Sequence, residues 1–145
     1  MTVTGLHHAS LTVADLDRSL RFYRDLLGVS VREQVETAAA TVTAISGEST
    51  GRLRIADLDL GDGRVLELIE DRDHAPPRTH AGGHIALQVD DTWGVYRRLV
   101  EAGAVARSQP ILLGPEAGRH WDGCVVVWMT DPDGATVELV QAPPL

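Results

Sequence analysis

Residues 6–13 alternate between polar and apolar positions, which places His8, Ser10 and Thr12 on one face of a strand and His7, Ala9, Leu11 and Val13 on the other. The pattern then changes period. Asp15 is a suitable N-cap, Leu16, Leu20, Tyr23, Leu26 and Leu27 form a helical apolar stripe, and Gly28 is placed to end it. Residues 29–35 and 38–45 read as extended, and residues 46–51 read as a loop by composition. Residues 53–60 and 65–69 flank Gly61-Asp62-Gly63-Arg64, a turn of the kind a β-hairpin needs.

After a connector over residues 71–83, rich in proline and glycine, the pattern starts again. Residues 84–89 predict a strand. Residues 92–102 predict a helix with Trp93, Tyr96, Leu99 and Val100 on its apolar side and Gly103 at its end. Residues 124–129, the turn Asp131-Pro132-Asp133-Gly134 and residues 136–140 predict a closing hairpin. The two halves also match in letters. His8-Ala9-Ser10-Leu11-Thr12-Val13 with Asp15 recurs as His84-Ile85-Ala86-Leu87-Gln88-Val89 with Asp91. The stretch Asp62–Ile69 recurs as Asp133–Val140. The expected class is therefore α+β: two tandem βαβββ modules, residues 4–72 and 82–142, within one domain of residues 1–145. Curved mixed sheets would enclose a cleft.

Composition narrows the partners. With 43% hydrophobic and 23% charged residues, the 145-residue chain is ordinary for a globular protein. A formal net charge of -8 argues against a nucleic-acid surface and gives no reason to expect an anionic membrane, although a local arginine cluster for an anionic substrate remains open. No stretch approaches the roughly 20 apolar residues of a membrane span. Cys124 is the sole cysteine, which rules out an intrachain disulfide and makes a reducing cytoplasm the simplest compartment.

The repeat supplies chemistry in duplicate. Each half opens with a histidine, His8 or His84, and closes on a strand with a glutamate, Glu67 or Glu138, set between aliphatic neighbours. Alternation turns each glutamate away from those neighbours, toward the side of its sheet that carries the histidine. A buried carboxylate without a partner costs several kcal/mol, of order 2 to 7. No Lys or Arg occupies the matching repeat positions to serve as one. Two imidazoles and two carboxylates form a donor set for one divalent ion, with two octahedral positions left for water or substrate. His7 has the parity of Leu11 and Val13 and reads as a packing or surface residue. His74 and His80 lie in the connector and read as solvated.

The segments GLHHASLTVADLDRSLRFYRDLLG, GHIALQVDD and DPDGATVEL resemble the vicinal oxygen chelate superfamily over nearly the whole chain, from Gly5 to about Gln141. The resemblance implies metal ligands at His8, Glu67, His84 and Glu138, the two-His, two-Glu set of glyoxalase I. Extradiol dioxygenases and fosfomycin-resistance enzymes lack the carboxylate at the position of Glu67, and the bleomycin-sequestering branch lacks the quartet. It further implies one divalent ion (Zn, Ni, Co, Mn or Fe), a small-molecule substrate and a homodimer. Two departures stand out: Thr12 occupies the place of an arginine in glyoxalase I. Arg54 lies near the place of an epimerase carboxylate, with Asp57 and Glu48 not far off.

The implied activity is a glyoxalase-type lyase or isomerase that transfers a proton next to a carbonyl through a metal-stabilised enediolate, with Glu138 or Glu67 as base. An iron-dependent dioxygenase and a sequestering protein without turnover are the alternatives. Substrate contacts are expected from the loop over residues 114–123, through Arg119, His120 and Trp121, and from Trp128 and Gln88.

Overall fold

The computed structural model describes residues 7–37, 51–74, 84–117 and 121–143. The chain divides into two compact units, Met1–Arg78 and Thr79–Leu145.

In the first unit, β1 (His8–Thr12) leads into α1 (Leu16–Leu20), followed by β2 (Ser30–Thr37), β3 (Leu53–Asp59) and β4 (Val65–Asp71). The sheet order is β1-β4-β3-β2. β1 runs parallel to β4, whereas the other neighbours are antiparallel, so the sheet is mixed. Asp15 caps α1 as expected, its carboxylate accepting from the Arg18 amide at 2.9 Å. The helix does not continue as α, because residues Arg21–Leu26 form a π-helical turn. The wider turn changes the apolar stripe: Phe22 and Tyr23 are both buried, while Leu26 and Leu27 are only half-buried. Residues 38–45 lie outside the described residues.

The helix covers the face of β3 and β4 that carries Ala56, Leu58, Leu66 and Leu68, all buried. A polar clamp crosses the same face. Arg54 donates to Glu70 at 3.1 Å and to Asp17 at 2.9 Å, and Glu70 also accepts from the Leu16 amide at 3.2 Å. The hydrogen bond from Arg54 holds the Asp17 carboxyl below its ordinary value.

The second unit repeats the plan with β5 (His84–Gln88), α2 (Thr92–Glu101), β8 (Val125–Thr130) and β9 (Thr136–Gln141). The place of β2 is taken by two short strands that the sequence did not announce, β6 (Val105–Ala106) and β7 (Ile111–Leu112), both antiparallel to β8. The order is β5-β9-β8-β6, with β5 parallel to β9. The fold class is thus α+β with two mixed sheets, as the pattern predicts. Asp91 caps α2 by accepting from the Gly94 amide at 2.9 Å. The buried face of α2 is Thr92, Val95 and Leu99, which corrects the stripe read from the sequence. Trp93 and Val100 are exposed, and Trp93 meets Tyr96 edge-on at 6.0 Å on the outer side. Gly28 and Gly103 end their helices with φ of 79° and 90°, a backbone region that favours glycine. Among the described residues, no helix is long and apolar enough to cross a membrane.

Candidate functional site

Each sheet buries the aliphatic neighbours of its glutamate on the helix side, and this turns the glutamate to the helix-free face. In the first unit Leu66 and Leu68 are buried, and Glu67 between them is 23% exposed at its side chain. In the second unit Val137 and Leu139 are buried, and Glu138 between them is 10% exposed. The parallel registers place Ser10 beside Glu67 and Ala86 beside Glu138, with the histidine two residues earlier on the same face.

The result is one His–Glu pair per unit. His8 Nε2 lies 4.0 Å from Glu67 Oε2, and His84 Nε2 lies 3.1 Å from Glu138 Oε2. The residues present suit a divalent ion. Two donors at a right angle, each about 2.1 Å from one ion, are about 3.0 Å apart, close to the separation in the second unit. The imidazoles of the first unit have a further contact, since His7 Nδ1 and His8 Nδ1 are 2.9 Å apart with their rings edge-on. His7 is exposed, and Nε2, on the other side of the His8 ring, is the atom nearer Glu67. Among the described residues no three or more His, Cys, Asp or Glu side chains gather as a metal site.

The surroundings of the two glutamates differ. Across the first sheet, the antiparallel registers set Glu67 beside Asp57 and Asp57 beside Glu33, giving a row of three carboxylates. Arg54 belongs to the opposite face, where it serves the helix clamp, so Asp57 and Glu33 are the further carboxylates set on the face of His8 and Glu67. Across the second sheet, Glu138 lies beside Trp128. The Arg107 amide donates to the Trp128 carbonyl at 2.9 Å, which extends the β6 pairing by one residue and puts Arg107 next in that row. Its guanidinium lies 5.8 Å from the centroid of the Trp128 ring and donates to Thr136 Oγ1 at 2.8 Å. The His84 ring is tilted against Trp128 with centroids 5.1 Å apart.

Of the substrate contacts expected from sequence, Trp128 is thus placed beside the His84–Glu138 pair, and Gln88 is exposed on the same face. Trp121 is exposed just before β8. Arg119 and His120 lie outside the described residues. Arg107 and Thr136 were not found from the sequence. The signal lay in aligning Val105-Ala106-Arg107 with the second strand of the first half, a match hidden because that strand is cut short.

The glyoxalase/bleomycin resistance protein/dioxygenase superfamily model matches residues 5–139. A probable lactoylglutathione lyase of Vibrio cholerae is 31% identical over 138 residues, covering 92% of this chain and 88% of the other. A 2-epi-5-epi-valiolone epimerase of Actinomyces is 30% identical over 151 residues, covering 96% and 80%. Among solved structures, a glyoxalase family protein of Bacillus cereus superposes with a TM-score of 0.82 at 15% identity, covering 99% of this chain and 97% of that one.

Proposed function

The chain belongs to the glyoxalase/bleomycin resistance protein/dioxygenase superfamily, and from that membership we propose that it is a metal-dependent lyase or isomerase of the glyoxalase type, moving a proton on the carbon next to a carbonyl of a small molecule. The observation that carries this reading is the presentation of one His–Glu pair on the helix-free face of each sheet, His8 with Glu67 and His84 with Glu138. Relatives named as a lyase and as an epimerase support it, because proton transfer beside a carbonyl serves both kinds of reaction.

His8, Glu67, His84 and Glu138 are the residues that would hold one divalent ion, whose contribution is to stabilise negative charge on the carbonyl oxygen. The protein does the rest. Glu138, only 10% exposed, removes and returns the proton out of contact with bulk water, and His84 fixes the direction of its carboxylate through the 3.1 Å contact. Glu67 is the second carboxylate available for the opposite transfer. Trp128 packs an apolar part of the substrate beside His84. The working form in this reading is a cytoplasmic homodimer.

Elemental analysis and solvent deuterium exchange test the proposal. About one divalent ion per site is expected, falling sharply in both Glu67→Gln and His84→Ala, together with deuterium incorporation next to the carbonyl in hydroxy-carbonyl, thiohemiacetal or acyl-CoA substrates. Unchanged metal content in both variants would remove the shared site. Recovery of an intact, unexchanged ligand from metal-loaded protein would favour sequestration over turnover.

A further inference from the structure

The repeat gives the two sheets the same plan, so positions that differ between them point to what each has acquired on its own. The row through the first glutamate is Ser10, Glu67, Asp57, Glu33. The row through the second is Ala86, Glu138, Trp128, Arg107. An aromatic ring therefore stands in the place of Asp57, and a cation in the place of Glu33.

Arg107 is held differently from the ion-paired arginines of this chain. Arg24, Arg32, Arg52, Arg54, Arg64 and Arg72 each have a carboxylate within 4.0 Å, as an acidic chain makes easy. Arg107 has no carboxylate partner among the described residues. It is exposed, yet its guanidinium is fixed by the Thr136 hydroxyl and lies within cation–π reach of Trp128. Fixing a long side chain costs rotamer entropy, and among the described residues no ion pair offsets that cost. One of five N–H donors is committed to Thr136, and the others are left for a ligand.

From this we infer that Arg107, Thr136 and Trp128 form a subsite for the carboxylate and flat carbonyl-bearing portion of an α-oxo acid. A single guanidinium beside a neutral hydroxyl matches one negative charge in fork geometry, whereas phosphate sites ordinarily add further cations or a helix N-terminus. The subsite is close to the proposed chemistry. Thr136 is the register partner of His84 and stands two residues before Glu138, a strand rise of roughly 7 Å. The acid group is therefore only a few bonds from the carbon that exchanges its proton. The inference rests on the proposed proton-transfer reading for the identity of that carbon, but binding at the subsite requires neither metal nor turnover.

The test uses metal-stripped protein, dialysed free of chelator, with ¹⁵N-labelled indoles assigned through Trp128→Phe. Benzoylformate and its methyl ester are titrated separately. The acid is expected to shift the Trp128 indole saturably, and the ester to bind at least about tenfold more weakly. Arg107→Met should abolish the preference for the acid while leaving the Trp93 indole on α2 in place. Thr136→Val, which keeps the charge and removes its tether, should weaken the acid and leave the ester unchanged. Equal binding of acid and ester, absence of saturable binding by the acid, or an undiminished preference in both variants would overturn the subsite. Loss of acid preference in Arg107→Met with wild-type metal uptake separates this result from a failure of the proposed chemistry, which would appear as absent metal uptake or absent exchange.

Discussion

Replacing Glu138 by glutamine should make the metal-free protein more stable. The Glu138 side chain is 10% exposed, and its single polar partner among the described residues is His84, at 3.1 Å. Glu70 offers a contrast inside the same chain: at 14% exposed it is matched by Arg54 and by the Leu16 amide. A carboxylate buried with one imidazole is under-compensated on the scale of about 1 to 3 kcal/mol for a poorly satisfied buried group. Glutamine preserves the shape and a hydrogen bond to His84 while removing the charge, so a gain of about 1 to 2 kcal/mol is expected. For a chain of this size that is a rise in Tm of roughly 3 to 8 °C. Divalent metal should reverse the order. A ligand at about one hundred times its Kd stabilises the wild type by about 2.7 kcal/mol, and a variant that lacks one of four donors gains much less. Thermal or urea unfolding of both proteins, stripped of metal and then supplied with Zn, Ni, Co or Mn, gives the comparison directly. If Glu138→Gln is the less stable protein without metal, the carboxylate is satisfied by the fold and the reasoning fails. If both proteins respond equally to metal, Glu138 is not a ligand.

Three further outcomes follow from the fold. Arg54→Met should cost about 2 to 3 kcal/mol by leaving Glu70 buried without its cation, and adding Glu70→Leu should recover most of the loss; additive effects in that double-mutant cycle would show that the pair is not coupled. Gly94→Ala should fail to stabilise α2 despite the better helix former, because its Cβ would fall on the Asp91 carboxylate that caps the helix; in an Asp91→Ala background the same change should stabilise by about 1 kcal/mol, measured by urea unfolding. Hydrogen bonds from the Arg52 side chain and amide hold the Asp73 carboxyl down at about 2, below its ordinary 3.8. A depressed folded value means that the contribution is complete above the unfolded value, fades as pH falls below about 4 and is gone only below about 2, so Asp73→Asn should be less stable than wild type at pH 5 and the gap should shrink steadily as pH falls toward 2.

Much of this could be read in the chain before any coordinates. Strands β1, β4, β5 and β9 are short runs recognisable by their apolar positions and by their recurrence in the two halves, and helices pack on β4 and β9. Asp15 was readable as a cap because a carboxylate before an apolar period has a local job that tertiary context rarely alters, and its repeat counterpart Asp91 caps α2 in the same way. The helix faces were less legible. A π-helical turn at Arg21–Leu26 breaks the 3.6 period on which the stripe was drawn, and on α2 the hydroxyl of Thr92 is buried by donating to the Val125 carbonyl at 3.1 Å, while Trp93 is not buried at all. Polarity alone cannot order those two. β6 and β7 have two residues each, too short for any period, and Arg107 was lost with them. Strand parity was enough to turn Glu67 and Glu138 away from their aliphatic neighbours, but the parallel pairing that sets His8 beside Glu67 and His84 beside Glu138 came from the topology.

The placement of the proposed donors on one pair of strands in each sheet, and of Trp128, Arg107, Asp57 and Glu33 on others, has a consequence for how such a protein can change over time. β1, β4, β5 and β9 carry the four residues proposed to hold the ion, whereas β2, β3, β8 and the segment after β6 carry the side chains beside them. If the proposed reading holds, a substitution in the second group would alter the molecule accepted without disturbing the ion, and the internal repeat offers two copies of that freedom. New specificities can therefore arise by single steps that pass through working intermediates. The short, irregular segment around β6 is where such steps cost the fold least.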